Sequence, residues 1–122
     1  MGNFKEKRKY KRVEGIFKVI VDFTPSVPIK FSCHSSDISE GGIRIQSTKN
    51  PATGSSVLIM FELPNHTTKK LAMRGVVVWT SEIIQPELKL GRSYLYEAGI
   101  KFTDLNEDDR EAIRSFVDER SE

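Results

Sequence analysis

Two clusters of residues in this chain have the types and spacing to do chemistry. The first is Lys7-Arg8-Lys9-Tyr10-Lys11-Arg12, with two arginines four apart among lysines. A guanidinium is a planar fork that binds phosphate bidentately, matches O6 and N7 of guanine, and can stack on a base. The second is Asp37-Ile38-Ser39-Glu40-Gly41-Gly42. Here a carboxylate can accept from N–H groups, a hydroxyl can donate or accept, and glycines let another group approach the backbone. Taken alone, DISEGG reads as a connecting turn, with Asp37 bonding its own backbone and Gly41-Gly42 supplying positive φ. Taken together, the two clusters are complementary to an anionic guanine nucleotide. Arg12 and Asp37 are 25 residues apart, enough for a two-strand hairpin that brings them side by side.

Other chemistries fit poorly. A calcium loop needs several alternating acids and a closing glutamate, and only Asp37 sits suitably. A nucleophile elbow needs glycine two residues before the serine, where Asp37 stands. A Gly-Lys-Ser/Thr phosphate loop is absent. Cys33 and His34 are adjacent, so on a strand they point to opposite faces and cannot form a nucleophile–base pair. Cys33 shares its face with Phe31 and is expected to be buried; His34 is expected to be exposed. The acids at 107–111 suit a helix N-terminus and need no catalytic role. The chain is expected not to be an enzyme and to hold no metal.

The elements that must position the two clusters can be read from periodicity. Phe17, Val19, Val21 and Phe23 alternate with polar or lesser residues, then Ile29, Phe31 and Cys33, then Ile43 and Ile45. Val57 to Leu63 and Leu71 to Thr80 form a fourth and fifth strand, with Gly75 as a bulge or bend in the fifth. Tyr94 to Phe102 is the sixth. Asn50-Pro51-Ala52-Thr53-Gly54 is a turn between the third and fourth. After Asn106, a good N-cap, the period changes: Ala112, Ile113, Phe116 and Val117 recur on one helical face. The expected fold is mainly β, a six-stranded antiparallel barrel closed by a C-terminal helix.

Bulk composition agrees. The chain has 122 residues, 38% hydrophobic and 30% charged, which suits one globular domain. No apolar run approaches the ~20 residues of a membrane helix, and membrane insertion is not expected. The basic first residues lack the apolar stretch of a signal peptide, and Glu6 breaks a myristoylation pattern. A single cysteine forms no internal disulfide, so the cytoplasm is the expected compartment. The net charge of +2 is unevenly spread. Residues 1–12 carry six basic side chains against Glu6, a net of +5, whereas residues 106–122 carry seven acids and three arginines. The organisation is read as a flexible basic arm over residues 1–12 and one barrel domain over 13–122.

These residues resemble the PilZ domain family. Its two signatures are RxxxR and, further along, (D/N)xSxxG; here they stand as Arg8-KYK-Arg12 and Asp37-I-Ser39-EG-Gly42. The stretch YEAGIKFTDLNEDDREAIRSFV is similar to the family's last strand and closing helix. The resemblance implies a split-barrel fold and binding of cyclic di-GMP, a bacterial second messenger, with no other cofactor. It implies that Arg8 and Arg12 contact guanine faces and phosphates, that Asp37 and Ser39 bond a guanine edge, and that Gly42 permits the approach, with Gly41 at the turn. Trp79 is read two ways, as a base-stacking aromatic or as core packing. Lys7 stands where relatives with arginine favour a stacked ligand dimer, which leaves stoichiometry open. The implied role is a ligand-gated adaptor that meets a protein partner in controlling motility or biofilm formation. The expected state is a monomer without ligand, with a ligand-dependent dimer as the alternative. A single-stranded nucleic-acid binder, disfavoured by the small net charge, and a barrel serving only as a protein-interaction module are the alternatives.

Overall fold

The structure, a computed structural model, describes residues 12–15, 17–23, 29–64, 70–84, 88–89 and 92–120. Its strands are β1 (Arg12–Glu14), β2 (Lys18–Phe23), β3 (Ile29–Ser39), β4 (Gly42–Ser47), β5 (Ser56–Glu62), β6 (Lys70–Glu82), β7 (Leu88–Lys89), β8 (Arg92–Ser93) and β9 (Tyr96–Asp104), followed by helix α1 (Glu107–Arg120). Six of these, in the order β3-β2-β5-β6-β9-β4, close into an antiparallel barrel because β3 also pairs with β4. β1 adds to β3, and β7 with β8 forms a small separate hairpin. The six-stranded barrel and closing helix read from the sequence are therefore present. That hairpin lies in the connection between the fifth and sixth strands read from the sequence.

Alternation explains the barrel. Val19, Val21, Ile45, Ile59, Leu71 and Val77 all point inward and are almost wholly buried. Burial of such side chains contributes roughly 1.5–3 kcal/mol each. The chain breaks between β1 and β2 at Gly15. There Ser35 of β3 replaces ladder bonds: its hydroxyl donates to the Gly15 carbonyl, and the Phe17 N–H donates to Ser35 Oγ at 3.1 Å. A Cβ at Gly15 would sit 3.3 Å from the Phe116 ring, so the break is also where α1 packs. Ile113, Phe116 and Val117 of α1 are buried, with Phe116 edge-on to Phe17. Asn106 caps the helix by accepting the Asp109 N–H at 2.8 Å. Gly54, in the expected 50–54 turn, has φ 91°.

Gly75 marks an irregularity, as expected, where the register of β6 on β9 shifts between Arg74 and Gly75. His34 departs from expectation. It is 1% exposed rather than open to solvent, because the Tyr94 ring lies edge-on to it at 4.3 Å. No described helix is long and apolar enough to cross a membrane.

Candidate functional site

DISEGG is mostly strand. β3 runs to Ser39, only Glu40 and Gly41 turn, and Gly42 begins β4. Gly42 is thus an extended strand residue and does not supply the positive φ of a turn. What excludes a side chain there is packing: a Cβ would sit 2.4 Å from the backbone oxygen of Ile100 on β9.

Asp37 reaches the outer face through a β-bulge. Cys33 and Ser35 face the interior, and an unbroken strand would take Asp37 in with them. The register on β4 shifts between Ser35, opposite Ile45, and Asp37, opposite Arg44. The extra residue, Ser36, turns Ile38 into the core and Asp37 outward, as bulges do when they re-aim side chains. Trp79 is turned the same way. Leu71, Met73, Gly75 and Val77 of β6 face inward, so Trp79 would follow. The register on β9 instead shifts between Val77, opposite Ile100, and Trp79, opposite Gly99. Trp79 is 39% exposed and lies on Gly99, where a Cβ would meet the indole Nε1 at 2.2 Å. It is not a core residue.

One open cavity of about 300 Å³ joins these residues. Arg12, Asp37, Gly41, Gly42 and Trp79, all singled out from sequence, line it; Arg44, Val78, Gly99 and Lys101, which were not, line it too. Asp37 is only 4% exposed. An Arg12 guanidinium nitrogen donates to its Oδ1, and Arg44 Nη2 lies 2.5 Å from its Oδ2. The polar wall is therefore a carboxylate held between two guanidiniums, the strong class of charge-assisted contact. Arg44 Nε also lies 3.8 Å from Glu97, which accepts from Ser36 and Gln46. Three cations face one carboxylate around the cavity, so it favours anions.

Ser39 is buried beside the cavity and accepts the Gly41 N–H at 3.2 Å, which shapes the turn. Glu40 at the tip is gripped from α1. Two Arg114 nitrogens lie 3.2 Å from its oxygens and Arg110 lies 3.9 Å away. That hydrogen-bonded carboxylate raises the Arg114 pKa. Lys7 and Arg8 lie outside the described residues. Cys33, buried as expected, faces the core with Sγ 3.5 Å from the Val19 carbonyl.

Arg44 and Lys101 gave no distinguishing sign in the sequence, since each is an ordinary polar position in an alternating strand. Gly99 carried a signal in hindsight: a glycine inside a strand marks close approach by something else.

The chain is similar to known proteins. A profile of the PilZ domain matches residues 6–119. No curated protein matches the sequence significantly. Among solved structures, the Bacillus subtilis inhibitor of motility MotI/DgrA superposes with a TM-score of 0.77 at 18% identity, over 93% of this chain and 51% of that one. This chain thus spans about half the length of that relative. The PilZ domain of YcgR from Escherichia coli, solved with c-di-GMP, gives 0.69 at 12% identity, covering 94% and 92%. The PilZ domain of CeSA from a cellulose-synthesising bacterium gives 0.61 at 14%, covering 92% and 99%. With the profile matching nearly its whole length and the barrel shared, the chain belongs to the PilZ domain family.

Proposed function

We propose that this chain is a receptor for cyclic di-GMP and works as an adaptor rather than an enzyme. The observation that carries the reading is the single outward cavity that brings Arg12, Asp37, Gly42 and Trp79 together. Asp37 accepts from the guanine Watson–Crick edge; each oxygen spends one lone pair on an arginine and keeps another. Arg12, with Arg8 before it, meets O6/N7 and phosphate. Trp79 offers a flat face to a base. β3 and β6 are three strand spacings apart, about 14 Å, which suits a ligand with two bases. Gly42 leaves the floor beside them bare, while Gly99 seats the indole. The c-di-GMP held by the YcgR PilZ domain supports the same reading.

In this reading the basic residues of the 1–12 arm add charge-assisted hydrogen bonds to the bound nucleotide. The redistributed positive charge then forms the surface a protein partner recognises in the cytoplasm. Calorimetry should give micromolar or tighter binding of cyclic di-GMP. Arg12→Ala and Arg8→Ala should each cost about 1–3 kcal/mol, as loss of a bidentate contact does. A wild-type chain that gives no heat with cyclic di-GMP but shifts mixed single-stranded oligonucleotides in a gel would replace this reading with nucleic-acid binding.

A further inference from the structure

The geometry points to Lys101 as a ligand-contacting residue, the cation that meets the phosphodiester linkage between the two nucleosides. This rests on the cyclic dinucleotide reading above and adds to it a residue outside both arginine and aspartate motifs. The outer face of β9 presents Glu97, Gly99 and Lys101, because Ala98 and Ile100 point inward. On β4 the outward residues are Gly42, Arg44 and Gln46, paired in register with Lys101, Gly99 and Glu97. Lys101 therefore stands opposite a bare glycine on one side and Val76 on the other. It faces no carboxylate across either strand.

The cavity's other cations are committed. Arg12 and Arg44 both bind Asp37. Among the described residues Lys101 has no ion-pair partner. Asp37, in the same cavity, is held by those two arginines, and Glu40 lines a neighbouring cavity with Lys101. Glu40 is already held by Arg114 and Arg110 of α1. The helix thus keeps a competing carboxylate occupied, and the exposed ammonium remains available to an incoming anion.

Position completes the case. Asp37 lies on β3 and Trp79 on β6, and β4 and β9 run between them. A ligand with one base at each wall must carry its linkage across β4 and β9. Lys101 is the uncommitted charge there, beside the floor that Gly42 keeps open. A compact ammonium with three donors suits a phosphate oxygen without demanding a fixed angle.

The test is calorimetry of wild type, Lys101→Gln and Lys101→Arg with cyclic di-GMP, the linear dinucleotide pGpG and cyclic di-AMP, at low and high salt. Lys101→Gln should bind cyclic di-GMP about tenfold more weakly and lose part of the wild type's salt sensitivity. Lys101→Arg should keep most of the affinity. Both variants should unfold in urea as wild type does, since the side chain is exposed and unpaired. Wild-type binding with Lys101→Gln equal to it at both salts overturns the inference and leaves the receptor reading standing. Equal loss in both variants, accompanied by lower stability, overturns it as well, since that marks a structural role. If wild type ignores cyclic di-GMP but binds cyclic di-AMP in a Lys101-dependent way, the inference stands and the guanine reading falls; if it binds pGpG instead, the inference stands and the cyclic-ligand reading falls. If none of the three binds, both fall.

Discussion

Asp37 and Trp79 stand on opposite walls of one cavity, and each faces out because a β-bulge precedes it. What holds them is different. Asp37 is 4% exposed and fixed from both sides by guanidiniums. Trp79 is 39% exposed and held by the fit of its ring on Gly99. The polar wall is set before a ligand arrives, which lowers the ordering cost of binding there. The aromatic wall keeps freedom to adjust to a base. A nucleotide site gains from that division, since hydrogen bonds depend steeply on angle while stacking tolerates sliding.

Asp37 is the residue on which the polar wall depends most. Asp37→Ala removes the acceptor shared by Arg12 and Arg44 and leaves two like charges facing each other. Binding of cyclic di-GMP should fall about 100-fold, as truncation of a hydrogen-bonded charge pair does. Stability should fall less, by about 1 kcal/mol, because both arginines are partly exposed and water can solvate them. Calorimetry and urea unfolding separate the two quantities. A variant that loses stability and keeps affinity would make Asp37 a scaffold for the arginines and not a reader of guanine.

The aromatic wall should show the reverse balance. Trp79→Ala should weaken binding by about 1–3 kcal/mol through lost stacking, with stability within about 0.5 kcal/mol of wild type, as for exposed positions. Gly99→Ala should act through Trp79. The new Cβ meets the indole, a side chain able to swing aside, so affinity should drop by less than in Trp79→Ala. Tryptophan fluorescence reports both, by quenching on ligand addition and by a shift when the ring leaves Gly99. Equal affinities for Gly99→Ala and wild type would mean that the ring's position on Gly99 is irrelevant to binding.

Much of this arrangement was legible before the structure. Period-two alternation exposes the strands, and the change of period after Asn106 exposes the helix, because each follows from one face being buried. The bulges were not legible. Counting by twos from Cys33 sends Asp37 inward, and counting from Leu71 sends Trp79 inward. A one-residue slip that reverses both depends on partner strands and leaves no local mark. Burial of His34 was missed for a related reason, since its cover, Tyr94, comes from the far end of the chain. Arg44 and Lys101 look like any polar residues on a solvated face until the barrel closes and sets β4 beside β9. Gly42 suggests room for a ligand in the sequence; the Ile100 backbone oxygen shows that the barrel itself also requires the space.

Cys33 and Asp37 differ in the same way within a single strand. Cys33 lies four residues before Asp37, ahead of the bulge, and there the alternation holds: the thiol is 1% exposed and packed in the core. Burial pushes its pKa up from 9.0 to about 12. The folded chain therefore keeps its proton where the unfolded chain begins to lose it. Stability from this group is complete below 9.0 and is lost as pH rises toward about 12. Cys33→Val, which fills similar space with no titratable group, should remove that share of the alkaline decline and leave neutral stability nearly unchanged. A thiol reagent at neutral pH should label wild type only as fast as the barrel opens, because the thiolate is the reactive form and is absent from the fold. Rapid labelling of the folded chain would mean that the part of β3 before the bulge is as open to solvent as its outward side, and the contrast with Asp37 would not hold.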